Sequence, residues 1–338
     1  VLRLLKLCTL SLAIYLVLFA TVVDLPLSLG ILRLELSQKT ARLTDLPSPK
    51  LVILAGSNGP YSHSCVVLDA MLNMPCENAG IAVGIGLDDI FTRYEPHLRA
   101  GDVVYMPMEL QQYTASASAY DAGVDGEFLL RHDRHVLEKL SLARVVGAGF
   151  CCTLADLTDA LVEMPLSQAR VIQPERILSA AYDLQGDRID NDLIDRDPAL
   201  LTVEPRKPPP AKDVSKGYGA KLIAGFVRRE SLKGVIVIGG MPVDYVTEKI
   251  PPDTMSAIAE IYTKNGGRFT VLPSHSHYPR TDFFNGEDHL AKPCQYLHSI
   301  WVSQRLEVLL RKPSTPPPQW IMHVAAACPS APLRFAGN

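Results

Sequence analysis

Apolar residues gather in short, nearly unbroken runs separated by polar breaks. LVILA at 51–55, GIAVGI at 80–85, DVVYMPM at 102–108, GVIVIG at 234–239 and RFTVLP at 268–273 read as strands buried on both faces, the habit of a parallel sheet. Between them lie helical patterns at 65–72, 87–98 and 255–262, the last placing Met255, Ile258, Ala259 and Tyr262 on one stripe. Alternation of this kind predicts an α/β fold, a doubly wound and mainly parallel sheet. From 114 to 216 the pattern loosens into a partly helical insertion, which the proline run at 205–210 returns to the sheet as a stiff connector. Residues 312–338, with STPPPQ, read as a weakly ordered tail.

The start of the chain follows neither pattern. Arg3 and Lys6 precede an uncharged run from Leu7 to Val23, closed by Asp24, and such a run is near the lower limit of the roughly 17 to 25 residues that cross a bilayer. Residues 1–30 are therefore expected to be a single-pass signal anchor, with a cleaved signal or a buried core helix as alternatives. Basic residues ahead of the span would put the body outside an inner membrane, in the periplasm.

Composition narrows the chemistry. Lys+Arg 33 against Asp+Glu 36 leaves a formal net charge of -3, so no global field favours a polyanion and nucleic acid is not an expected partner. Of seven cysteines, Cys8 lies in the apolar segment; Cys65, Cys76, Cys151, Cys152, Cys294 and Cys328 show no Cys/His ligand spacing, so neither metal nor other cofactor is expected. They read either as buried free thiols or as including one disulfide such as Cys65 with Cys76. No G-x-G-x-x-G or Walker pattern occurs.

Ser57 stands where the first apolar strand gives way to Gly56-Ser57-Asn58-Gly59. In an open parallel sheet, ligands bind outside the carboxyl ends of the strands, so the serine sits at the edge where chemistry is expected. An ordinary strand-to-helix turn is the bland alternative. Asn78-Ala79-Gly80 opens a second glycine-containing turn, and His289 precedes a late amphipathic helix.

The Gly-Ser-Asn turn, Asn78-x-Gly80 and the late block ending in His289 together resemble the SGNH (GDSL) hydrolases, most of all their membrane-anchored extracytoplasmic branch. The resemblance covers about 50–115 and 234–311 and implies a flavodoxin-like three-layer sandwich. It also implies Ser57 as nucleophile, His289 as general base, and Gly80, Asn78 and Asn58 around the oxyanion. Two departures stand out: Glu109 occupies the place of an oxyanion-donating Asn and is expected to be turned away or bound to a structural partner. The acid normally shortly before the histidine is missing, leaving Asn285 or the more distant Asp282 to orient it. The implied activity is a serine esterase or O-acyltransferase acting on an acylated exopolysaccharide such as cellulose. The alternative is an inactive carbohydrate-binding or scaffold subunit of a polysaccharide export complex.

His275 and His277, after the last strand, are candidates for substrate contact or, less readily, a metal. His132 and His135 read as a solvated helical face. Tyr94, Tyr113 and Tyr278 are candidates for stacking on sugar rings.

Overall fold

The computed structural model describes residues 2–22, 28–118, 126, 128–130, 133–149, 158, 161–162, 165–166, 169, 171, 173–196, 199, 204–247, 249–313 and 315–331. His132, Cys151 and Cys152 lie outside them. The chain divides into two compact units, Val1–Ser37 with Ser118–Leu178, and Gln38–Ala117 with Ser179–Asn338.

In the first unit α1 spans Leu2–Val22, and α2, Ser28–Asp45, runs on into the second. Arg3 and Lys6 fall within α1, so its uncharged stretch starts only at Leu7. Among the described residues no helix is long and apolar enough to cross a membrane, and the expected anchor is corrected accordingly.

The second unit is an α/β body. Its chain order is β1 (Leu51–Ile53), α3 (Asn58–Ser62), α4 (Cys65–Leu72), β2 (Cys76–Asn78), α5 (Leu87–Tyr94), β3 (Val103–Met106) and α6 (Leu110–Thr114). After residue 178 come α7 (Tyr218–Leu232), β4 (Ile236–Gly239), β5 (Asp244–Tyr245), α8 (Pro252–Thr263), β6 (Arg268–Phe269) and β7 (His277–Tyr278). The hairpin β8 (Phe283–Gly286) and β9 (His289–Leu290) leads into α9 (Lys292–Leu310) and α10 (Gln319–Ala325).

Five strands form one parallel sheet in the order β2-β1-β3-β4-β6, with Leu51 opposite both Cys76 and Val103, and Val103 opposite Ile236. Because side chains alternate along a strand, Leu51, Ile53, Val103, Tyr105 and Ile238 share a face. They pack with Cys65, Leu68 and Leu72 of α4 and Val302 and Leu306 of α9. The alternate residues Val52, Val104 and Val237 are buried as well, which is why the runs read as continuous apolar stretches. Among the described residues, two disulfides, Cys65–Cys76 and Cys294–Cys328, tie α4 to β2 and α9 to the segment after α10.

One strand lies elsewhere than its pattern indicates. GIAVGI is not a strand; the sheet uses Cys76–Asn78 just before it. Ala79 and Ile81 still donate to the Ile53 and Ala55 carbonyls before the chain turns, and Ile81 and Ile85 are buried as loop residues. Periodicity alone does not separate such a buried loop from a buried strand.

Candidate functional site

The loop after β1 is fastened by a carboxyl group. Glu109, at the end of the β3 extension, accepts from the Gly56 amide at 2.8 Å through Oε2 and from the Asn58 amide at 2.8 Å through Oε1. Glu109 thus points into the serine loop. A Cβ on Gly56 would lie 2.5 Å from Glu109 Oε1 and 2.4 Å from Val83 Cγ1, so only glycine lets the carboxyl approach. Burial, reinforced by the negative charge of Asp288, pushes the Glu109 carboxyl up to about 8, so it is mostly protonated at neutral pH.

Asn58 is bonded at every polar group. Its amide reaches Glu109, its Nδ2 donates to Pro107 O at 2.8 Å, its Oδ1 accepts from Val243 N at 3.2 Å, and its carbonyl lies 3.2 Å from His63 Nδ1. It pins together the ends of β1 and β3 and the start of β5. Ser57 is half-buried and precedes α3 without capping it through its hydroxyl.

Asn78 and Gly80 serve packing. Asn78 Nδ2 lies 3.0 Å from Gly59 O, 3.1 Å from His63 O and 2.9 Å from Asp187 Oδ1. Gly80 passes so close to α3 that a Cβ would meet Pro60 Cδ at 2.8 Å and Gly59 Cα at 2.9 Å, and its carbonyl accepts from Lys39 Nζ.

The hairpin carrying His289 docks on α3. Ser62 Oγ donates to Asp288 O at 2.8 Å and accepts from Leu290 N at 3.2 Å, so two stretches distant in sequence meet here. The His289 ring stacks on Tyr61 with centroids 3.9 Å apart, and Arg188 sits 5.0 Å from the Tyr61 centroid and 4.9 Å from that of Tyr182. Asn285 Oδ1 lies 2.6 Å from His289 Nδ1. A side-chain amide oxygen only accepts, so Nδ1 carries the proton; Nε2 is buried, 3.6 Å from Asp288 Oδ1. Burial lowers the His289 pKa; Asp288 opposes that shift, while Arg188 and Arg206 add to it. Asp282 is buried further back, its carbonyl accepting from Ala291 N.

Beside these groups opens a cleft of about 140 Å³, bounded by Glu109, Gln111, Thr114, Asp244, Asp288 and the cations Arg206 and Lys207. Arg206 is paired with Glu287 at 3.0 Å and Lys207 is exposed. Neither cation is singled out by sequence pattern, because both sit in a proline run that reads as a connector; their adjacency was the only signal.

The remaining candidates lie elsewhere. His275 is exposed, and the nearly buried His277 turns Nδ1 to the His275 carbonyl at 2.7 Å. His135 is exposed. Tyr94, Tyr113 and Tyr278 are buried, so none offers a face to a sugar. Among the described residues the one cluster with metal-ligating atoms is Asp282, Cys294 and Cys328, whose sulfurs are joined to each other and offer no thiolate.

No family model matches the chain, and no solved structure matches it. Among curated proteins it is similar to the phosphoribosylformylglycinamidine synthase subunit PurL of Sulfurisphaera tokodaii, 25% identical over 268 residues, covering 72% of this chain and 35% of that protein. It is also similar to the subunit of the same name from Sulfolobus acidocaldarius, 26% identical over 255 residues, covering 68% of this chain and 33% of that one. The chain thus spans about a third of the length of these relatives.

These relatives correct the resemblance to SGNH hydrolases. They are named as subunits of a synthase. The esterase or O-acyltransferase activity, the carbohydrate-binding scaffold, the acylated polysaccharide and export-complex partners and the inner-membrane, periplasm-facing placement are withdrawn with it. Locally, the motifs that carried the resemblance have structural work: the loop amides hold Glu109, and Asn78 and Gly80 pack β2 against α3.

Proposed function

We propose that the cleft at the carboxyl edge of the sheet binds a small phosphate-bearing metabolite, of the phosphoribosyl kind named in the relatives, and moves protons on it. The observation that carries this reading is the lining of the cleft: Arg206 and Lys207 line it together with a buried carboxyl held at about 8, alongside the acidic side chains of Asp244, Glu287 and Asp288. The two cations would take the phosphate, Lys207 as a mobile point charge and Arg206 as a planar fork. Glu109, protonated at neutral pH, is a general acid, and His289, its Nε2 buried 3.6 Å from Oδ1 of the cleft-lining Asp288, backs that side chain. Asn285 fixes the imidazole tautomer and Tyr61 its plane. The likeness to PurL supports a phosphoribosyl ligand by name.

Calorimetric titration of the full chain with ribose 5-phosphate, with inorganic phosphate and ribose in parallel, tests the reading. Ribose 5-phosphate is expected to bind more tightly than ribose, and the double change Arg206→Gln, Lys207→Gln to weaken it at least about tenfold, roughly 1.4 kcal/mol. No binding of ribose 5-phosphate, or equal affinity in the variant, overturns it.

A further inference from the structure

Helix α9 carries a polar stripe on a face that is wholly buried. Gln295, His298 and Ser299 are spaced to share that face, and all three are buried. Each grips the segment that follows Ser57. Gln295 Nε2 donates to Pro60 O at 2.7 Å and to His63 O at 3.2 Å, and Ser299 Oγ accepts from Ser64 N at 2.7 Å. His298 Nε2 lies 3.1 Å from His63 Nε2, and the Tyr278 hydroxyl lies 2.6 Å from His298 Nδ1.

Hydrogen-bond valence fixes the direction of this array. The Asn58 carbonyl cannot donate, so His63 Nδ1 must carry a proton and give it to that oxygen. His63 is buried without a carboxylate among its bonded partners, and burial brings its pKa down to about 4, so the ring is neutral and Nε2 accepts. His298 then donates from Nε2, its Nδ1 accepts, and Tyr278 donates.

We propose that Tyr278, His298 and His63 are positioning residues: a one-way hydrogen-bonded relay from phenol through two imidazoles to the Asn58 carbonyl fixes Asn58 and the amide it presents to Glu109. Calling Glu109 the acid of a cleft rests on the function proposed above; the relay itself needs no ligand to be observed. Its chemical consequence falls on Glu109. The Asn58 amide bond favours the ionised carboxylate, so a looser Asn58 pushes the carboxyl further up. Asp288, Tyr113 and the cleft's Asp244, Glu287, Arg206 and Lys207, the other ionisable groups acting on or beside Glu109, are left intact by changes in the relay.

NMR of the full chain, with ¹⁵N-labelled histidine and ¹³C-labelled glutamate carboxyls, tests the relay. The unaltered protein is expected to show His63 protonated at Nδ1 and His298 at Nε2. Tyr278→Phe, which removes a single hydroxyl, is expected to mix the His298 tautomers and raise the Glu109 titration midpoint by about half a pH unit, roughly threefold in its ionisation constant. His298→Leu is expected to move it further; if that variant does not fold, Tyr278→Phe carries the test. Unmixed tautomers with an unmoved Glu109 midpoint overturn the proposal. So does a fall in stability alone, since a merely structural role would leave the titration in place. A shifted midpoint in a protein that fails to bind ribose 5-phosphate supports the relay while removing the function proposed above.

Discussion

Asn58→Ala is expected to lower folding stability by about 3–5 kcal/mol, measured as a shift in the urea midpoint at unchanged m-value. The change removes an acceptor from the Val243 amide and a donor from the Pro107 carbonyl, both in buried backbone, at the start of β5 and the end of β3. Each orphaned buried group costs about 1–3 kcal/mol, and a water has little room to replace the side chain in so closed a place. Losses above 4 kcal/mol from one residue are uncommon and point to a broken buried network, which is what Asn58 anchors. A loss below about 1 kcal/mol would mean that these bonds are not made in solution.

Stability is expected to fall by several kcal/mol as pH rises from about 5 to 9, read from urea midpoints across that range. Burial holds the Glu109 carboxyl at about 8 and that of Asp187, beside Asp183, at about 7. In the unfolded chain both ionise near ordinary carboxylate values. Between those limits the folded state holds protons that the unfolded state has released, so the stabilisation is complete below the unfolded values and is lost as pH climbs through 7 to 8. His63 works in the opposite sense. Its pKa falls to about 4 in the fold, so its contribution is present above the unfolded value near 6.5 and is lost on acidification toward 4. Burial also pushes Glu77 up, to about 8, although Lys39 and its 2.8 Å partner Arg42 oppose that shift. The raised carboxyls of Glu109, Glu77 and Asp187 outweigh the lowered imidazoles of His63 and His289 and put the optimum on the mildly acidic side. Glu109→Gln should flatten the alkaline limb in part; a profile level or rising from pH 5 to 8 would refute the account.

Much of the sheet was legible because parallel strands are buried on both faces. Leu51–Ile53, Val103–Met106 and Ile236–Gly239 announce themselves by apolar content alone. The strand Cys76–Asn78 did not, because Glu77 and Asn78 are polar residues made compatible with burial by partners far away, Arg42 for one and Asp187 for the other. The bend at Ser57 was legible for the same reason that misled the functional reading. Glycine and small polar residues mark a tight turn whatever its purpose, and the three-residue motifs shared with hydrolases are short enough to arise from that geometry. What fastens the bend is Glu109, and His63 through His298 of a distant helix. Pairings of that separation leave no periodic trace in a single chain.

The bridge between Cys294 and Cys328 spans the proline-rich stretch that joins the last two helices. A protease that nicks the backbone anywhere in 312–318 therefore frees nothing. The clipped piece stays covalently leashed to α9, migrating with the parent on a non-reducing gel and parting from it once a thiol reductant is added.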